Sequence, residues 1–195
     1  MRLLKLTSNH ESFHPVRFNE SGVSLIVAKN VTNDEKNTYN SVGKSLTIAL
    51  IHFCLGSNSV EDFKEKLPGW IFHLDFELNG VHYTSSRSTS SQDTIVLNKE
   101  ELSLIDFRNR MGEDVFNLTE PTPFLTFRTL ISRFIRPTKS SYNDYFSPIV
   151  QEQDYARLLN AAYLLGLDIN RVIQKGQLKE QFDEVKTLGS KIEKD

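Results

Sequence analysis

Residues 38–55 read Thr38-Tyr39-Asn40-Ser41-Val42-Gly43-Lys44-Ser45-Leu46-Thr47-Ile48-Ala49-Leu50-Ile51-His52-Phe53-Cys54-Leu55, a polar stretch passing through Gly-Lys-Ser into a nearly unbroken apolar run. The run predicts a helix from about Gly43 to Leu55. Its apolar residues nearly encircle it, so it belongs between layers rather than on a surface. A Gly-Lys-Ser at a helix start presents backbone N–H groups and the positive end of the helix dipole to a phosphate. In that arrangement Gly43 permits close backbone approach, Lys44 reaches the β and γ phosphates, and the Ser45 hydroxyl ligates magnesium. The strict P-loop pattern asks for glycine five positions before Gly43, where this chain has Thr38. The competing reading is an ordinary helix start that happens to spell Gly-Lys-Ser. The context favours the loop, because an apolar strand is predicted upstream and an apolar helix follows at once.

Upstream, Arg2 to Thr7, Val16-Arg17-Phe18 and Gly22-Val23-Ser24-Leu25-Ile26-Val27-Ala28 read as strands, the last as a central one since it carries no charge. Residues 29–40 are polar and read as a loop. Downstream, a short helix is expected from Ser59, ended by Pro68-Gly69. Trp70 to Leu78 alternates at period two, and Asn79-Gly80 then Val81-His82-Tyr83-Thr84 complete a hairpin signal. Further strands are expected at Asp93–Leu97 and around Val115–Leu118, giving an antiparallel β subdomain at about 70–120. From Phe124 the period becomes helical, with Phe127, Leu130, Ile131 and Phe134 on one stripe until Pro137. Residues 137–150 form a loop, and a helix from Glu152 to Leu165 precedes Gly166. From Asp168 onward, Leu178, Phe182, Val185 and Ile192 stand four, three and seven apart among charged residues, with Gly189 where a core residue is missing. That is the opening of a heptad seam, the root of a coiled coil; a frayed C-terminal helix packed on its own domain is the alternative.

The chain has 195 residues, 38% hydrophobic and 25% charged, with 23 basic against 25 acidic side chains. This is ordinary globular composition and excludes a generally basic nucleic-acid coat, so polyanion binding requires a local patch. The lone Cys54 cannot form an intrachain disulfide and reads as a buried small hydrophobe, and no Cys/His set has zinc spacing. Met1 to Leu6 is shorter than the ~7–15 apolar residues of a signal peptide. Leu46 to Leu55, the longest apolar stretch, is far short of the ~20 residues that span a bilayer. The expectation is a soluble, cytoplasmic protein without a membrane partner.

The segment Asn40-x-x-Gly43-Lys44-Ser45 resembles the Walker A of SMC/RecF/RecN-type ABC ATPases. The order of elements adds to the likeness: the strand pair, Leu25-Ile26-Val27, the Gly-Lys-Ser loop, Phe127-Arg128-x-Leu130-Ile131-x-Arg133-Phe134, and Leu164-Leu165-Gly166-Leu167-Asp168 before a coiled coil. It is similar to the SMC-like ATPase components of bacterial three-component ABC systems. The resemblance covers nearly the whole chain, is specific only at the Gly-Lys-Ser loop, and departs at Thr38. It implies an α/β fold: the N-terminal lobe of an ABC-type P-loop ATPase over residues 1–167, with a coiled-coil root at 168–195. It further implies ATP and magnesium held by Asn40, Ser41, Val42, Gly43, Lys44, Ser45 and Leu46. Lys44 would be the catalytic lysine and Ser45 the magnesium ligand. The family's signature and Walker B lie in a C-terminal lobe, and no Leu-Ser-Gly-Gly occurs here. Ile71-Phe72-His73-Leu74-Asp75 is the nearest Walker B candidate, but Phe76 occupies the place of the catalytic glutamate. The implied work is ATP-dependent pairing of heads on DNA, in genome maintenance or phage defence, with a C-terminal lobe, a second head or a homodimer as partners.

Other constellations carry less. Arg128, Arg133, Arg136 and Lys139 lie in a stretch from Glu120 to Asp144 that contains no acidic residue. They offer a surface for DNA or an acidic partner, or a solvated helix flank; Arg128 sits nearest the apolar stripe and reads as buried and paired. Gln92 and Gln151 are the candidates for a magnesium-sensing Q-loop glutamine. The five histidines are scattered and suggest no metal. Two rival functions remain: a non-catalytic coiled-coil adaptor with a vestigial loop, which Thr38 favours, and a small-molecule P-loop kinase, which the lack of a lid-like arginine cluster disfavours.

Overall fold

Alternation in residues 71–78 sets the sheet. The structure, a computed structural model, describes residues 1–27, 43–136, 139–142, 149 and 151–192. Strand β3 (Ile71–Leu78) turns through Asn79 and Gly80, both at positive φ (51° and 80°), into β4 (Val81–Ser88). Two positive φ values give the turn whose twist matches the strands, and Asn-Gly adopts it at least cost. The sheet is antiparallel throughout, in the order β2-β1-β3-β4-β5-β6, with β1 at Arg2–Ser8, β2 at Val16–Arg17, β5 at Thr94–Leu97 and β6 at Glu100–Ser103. Because β1 pairs with β3, the N-terminal strands and the middle strands share one sheet. On one face Leu6, Phe72, Leu74, Phe76, Ile95 and Leu97 are buried under α1 (Lys44–Cys54) and α3 (Leu104–Phe116). Helix α2 (Glu61–Lys66) adds Phe63, whose ring meets Phe53 edge-on at 5.2 Å. The architecture is therefore mixed α/β.

The structure corrects three sequence expectations. Residues 23–27 form no strand, and Val23, Leu25 and Val27 are 83%, 80% and 68% exposed. A β-branched apolar run becomes a strand only beside another strand, and β2 offers two residues of edge. Residues 115–118 are not a strand: they close α3, where Asn117 takes the left-handed conformation and its N–H reaches Glu113 O. Ser103 opens that helix by accepting from Asp106 N at 3.1 Å, the kind of cap that lets a mostly polar segment begin a helix. The long stripe from Phe124 shrinks to α4 (Phe127–Ile131), begun by a Thr126/Thr129 capping box, with Phe124 at φ 63° before it and Phe134 exposed after it.

A second, smaller cluster joins α5 (Asp154–Leu164) to α6 (Ile169–Ile192). Ile169, Val172 and Ile173 pack around Leu159, Leu130 and Leu125. Gly176 makes the closest approach, since a Cβ there would sit 2.5 Å from Cε2 of Tyr155. Beyond it Leu178, Phe182 and Val185 are exposed. The side chain of Ile192 lies outside the described residues.

The C-terminal end of α1 is fixed by a complete set of donors. Gly56 at φ 74° lets the chain reverse, with Ser57 N donating to His52 O and Gly56 N to Phe53 O, both 3.1 Å, the Schellman pattern. Ser85 Oγ then donates to Cys54 O at 2.6 Å, Arg128 Nη1 to Leu55 O at 2.8 Å and Arg108 Nε to Gly56 O at 2.8 Å. Arg87 Nη1 donates to Phe53 O and Ser57 O, each at 2.8 Å, and its Nε and Nη2 both donate to Gln92 O. Arg87 is fully buried, and its guanidinium stacks 4.3 Å from the Phe53 ring centroid. Burial draws its pKa down to about 10, which leaves it charged at neutral pH. Replacing it strips donors from buried carbonyls, each costing about 1–3 kcal/mol. Arg87→Met, which keeps apolar volume, is expected to lower the unfolding free energy by roughly 3 kcal/mol or more by urea denaturation; a loss under ~1 kcal/mol would show that the clamp is dispensable.

Candidate nucleotide-binding site

With its far end held, α1 presents its beginning to solvent. Gly43 is its N-cap at φ 74°, a left-handed conformation that a side chain would strain, and the space around its Cα is open. Thr47 N and Oγ1 donate to Gly43 O at 2.9 and 3.1 Å. Gly43 offers no side chain to cap the start, and no acidic residue occupies the first turn. Ser45 and Leu46 are exposed. A helix start with uncapped N–H groups and the positive dipole end suits an anion. Asn40, Ser41 and Val42, together with Thr38, lie outside the described residues, as does the side chain of Lys44. Of the seven residues expected to hold ATP, Gly43, Ser45 and Leu46 therefore stand together at the open end of a helix whose Leu50, Phe53 and Cys54 are fully buried.

The other expected residues fall elsewhere. Arg133 does not face solvent: its side chain is 11% exposed and Nη2 pairs with Glu152 Oε1 at 2.5 Å, Glu152 being 5% exposed. Burial pushes the Glu152 carboxyl up while Arg133 pulls it down, and Arg133 Nε and Glu152 Oε2 find no partner among the described residues. Arg136 is half-buried over the Tyr142 ring, 5.8 Å from its centroid. The Lys139 side chain lies outside the described residues. Gln92, a Q-loop candidate, instead ties α2 to the sheet, with Oε1 accepting from Val60 N at 2.7 Å and Nε2 donating to Val60 O and Thr89 O at 2.9 Å. Gln151 is an exposed turn residue at φ 59°. Asp75 accepts from Thr84 Oγ1 at 2.7 Å, where the alternation puts it on the sheet face opposite Phe72, Leu74 and Phe76. Cys54 is buried and its thiol pushed up to about 12 by burial, so it is inert.

Sequence reasoning missed the convergence of His52, Arg87 and Arg108. One signal was available for Arg87: the two-residue turn at Asn79-Gly80 fixes Leu78 opposite Val81, and counting back sets Phe72 opposite Arg87, on the buried face. No protein-family model matches the chain, and no curated protein matches it. No helix of the described residues is long and apolar enough to cross a membrane.

His52, at the far end of α1, gives the arginine clamp a pH signature. Its Nε2 meets Arg128 Nη2, a contact that only the neutral ring accepts. Burial first, then Arg128 and Arg87, bring its pKa down from 6.5 to about 4. A folded-state pKa below the unfolded one means that the unfolded chain takes up more protons, so stability falls as pH drops from about 6.5 toward 4. His73, lowered by burial, acts in the same sense. His52→Gln keeps an acceptor for Arg128 and cannot protonate, so its unfolding free energy is expected to lose less than the parent's between pH 7 and pH 4.5. Parallel curves for the two proteins would refute the assignment.

Proposed function

We propose that this chain is the ATP-binding lobe of an SMC-like ABC ATPase acting on DNA, completed by a partner lobe that brings the signature and Walker B. The observation that carries the reading is the open, uncapped start of α1 at Gly43-Lys44-Ser45, on a helix otherwise buried and clamped at its far end. Phosphates would rest on the N–H groups after Gly43, Lys44 would reach the β and γ phosphates, and the Ser45 hydroxyl would hold magnesium. Asn40, Ser41, Val42 and Leu46 would border the same phosphates. Two further features support it. The exposed run at residues 23–27 has the composition of a sheet strand without a sheet around it, which suits completion by a second lobe. Leu178, Phe182 and Val185 make an exposed seam on α6, which suits a coiled coil leaving the head. Heads would pair, as a homodimer or with the complementary lobe, when ATP is bound. With Arg133 engaged by Glu152, DNA contact would rest on other basic residues.

Lys44→Ala is expected to abolish binding of magnesium-ATP in calorimetry while leaving the circular dichroism spectrum and unfolding midpoint unchanged, since the helix start is exposed. Equal ATP affinity in parent and variant would sink the reading.

The chemistry is expected to be absent from this chain alone. Among the described residues no acidic side chain stands at the start of α1 to position water at a γ-phosphate, so the purified 195-residue protein should bind ATP with negligible turnover. A steady-state phosphate-release rate that vanishes in Lys44→Ala would instead place the missing carboxylate within this chain.

A further inference from the structure

Beside the C-terminal end of α1 lies a cavity of about 640 Å³ between α1, the loop at residues 57–60, α3 and α4. Arg108, Arg128 and His52 line it. Neither arginine, nor Arg87 behind them, has a carboxylate within 4.0 Å among the described residues. Three guanidinium groups thus share one region without a direct ion pair among the described residues, held by backbone carbonyls, Asn58 Oδ1 and His52, with Asp93 acting on Arg87 only from beyond ion-pair distance, whereas buried charges are ordinarily paired. His52 adds no negative charge, and as a neutral ring it spends its acceptor on Arg128. The one carboxylate lining the pocket, Asp62, is bound by Lys66 at 3.0 Å.

The donors are not exhausted by the clamp. Arg108 uses Nε on Gly56 O and Nη2 on Asn58 Oδ1, and Arg128 uses Nη1 on Leu55 O and Nη2 on His52. Arg108 Nη1 and Arg128 Nε make no hydrogen bond to the described residues. The hydroxyls of Ser59 and Ser132 line the same cavity without a partner among them. Planar guanidinium forks with hydroxyl donors around them match an oxyanion with several acceptor oxygens.

We propose that this pocket binds a phosphate group. Its volume lies in the range of small-ligand sites, so it accommodates a phosphate together with the group that carries it. The site is separate from the nucleotide reading, since His52 is nine residues past Gly43, about 13 Å along the helix. The phosphate's charge would offset the excess of the arginine cluster, so occupancy stabilises the fold.

The probe is inorganic phosphate at millimolar concentration, compared with chloride at equal ionic strength, and the readout is the thermal midpoint of the full chain. The midpoint is expected to rise by about 2–4 °C in phosphate. Ser59→Glu places a carboxylate in the pocket from an exposed loop position without touching the clamp; it should raise the midpoint in chloride and abolish the phosphate response. Arg128→Gln should also abolish the response, and Lys44→Ala should keep it. The absence of any phosphate response would overturn the proposal, as would a response unchanged in Ser59→Glu or one lost in Lys44→Ala. Competition then separates the sources: displacement by a nucleoside monophosphate assigns a small-molecule ligand, displacement by a 5′-phosphorylated DNA duplex assigns nucleic acid, and displacement by neither, with the phosphate response intact, assigns inorganic phosphate itself.

Discussion

Six successive carbonyl groups at the end of α1, from His52 to Ser57, set the terms for the rest of the molecule. A helix that ends inside a protein leaves carbonyls that must find donors, and each failure costs on the order of 1–3 kcal/mol. Here the chain's own reversal supplies two N–H donors, Ser85 supplies a hydroxyl, and Arg87, Arg108 and Arg128 supply the remainder. These donors come from β4, α3 and α4, so one helix end ties together elements separated by as many as 73 residues. Cations at the negative end of the dipole add a favourable electrostatic term, and three of them there make the arrangement rigid. Burial first, then repulsion from Arg108 and Arg87, brings the Arg128 pKa down to about 10, which leaves it charged at neutral pH.

That rigidity matters for the opposite end. A phosphate cradle works through backbone N–H groups whose positions are fixed before the ligand arrives. The buried faces of Leu50, Phe53 and Cys54, together with the clamp at residues 52–57, hold α1 against β3 and β4. At the start of α1, Gly43 offers no capping side chain and the first turn carries no carboxylate to oppose an incoming anion. One end of the helix is saturated with donors and the other left wanting an acceptor.

How much of this could be read in the sequence depends on the range of the interactions involved. Local signals were sufficient for α1, α2, α5 and the β3–β4 hairpin, because a helical apolar run, Pro68-Gly69 and Asn79-Gly80 act within a few residues. The strand expected at residues 22–28 failed because strand formation is settled by a neighbour, and composition does not reveal whether one exists. Helix α3 escaped notice because its buried residues, chiefly Phe107 and Met111, are few among Asp, Arg, Asn and Glu. Arg133 was misplaced for a related reason: a run without nearby acids looks like an open basic surface until folding brings Glu152, 19 residues on, to it. The beginning of the candidate site was legible in Gly43-Lys44-Ser45. The arginine clamp was not, since carbonyl oxygens are present at every residue and no pattern marks the ones an arginine will reach.

The exposed apolar residues divide the surface in a way that composition alone does not require. Isolated exposed hydrophobes are ordinary, but Val23, Leu25, Ile26 and Val27 make one exposed apolar run, and Leu178, Phe182 and Val185 stand at heptad spacing on α6. A narrow helical seam of that kind is buried only where another helix covers it. In α6 the change is abrupt: up to Gly176 the helix is packed against Tyr155, and past it Leu178, Phe182 and Val185 face outward. The same helix thus satisfies its first turns internally, while its later ones are left uncovered by the described residues. Two apolar surfaces, one in residues 23–27 and one on the later turns of α6, stand apart from both buried clusters.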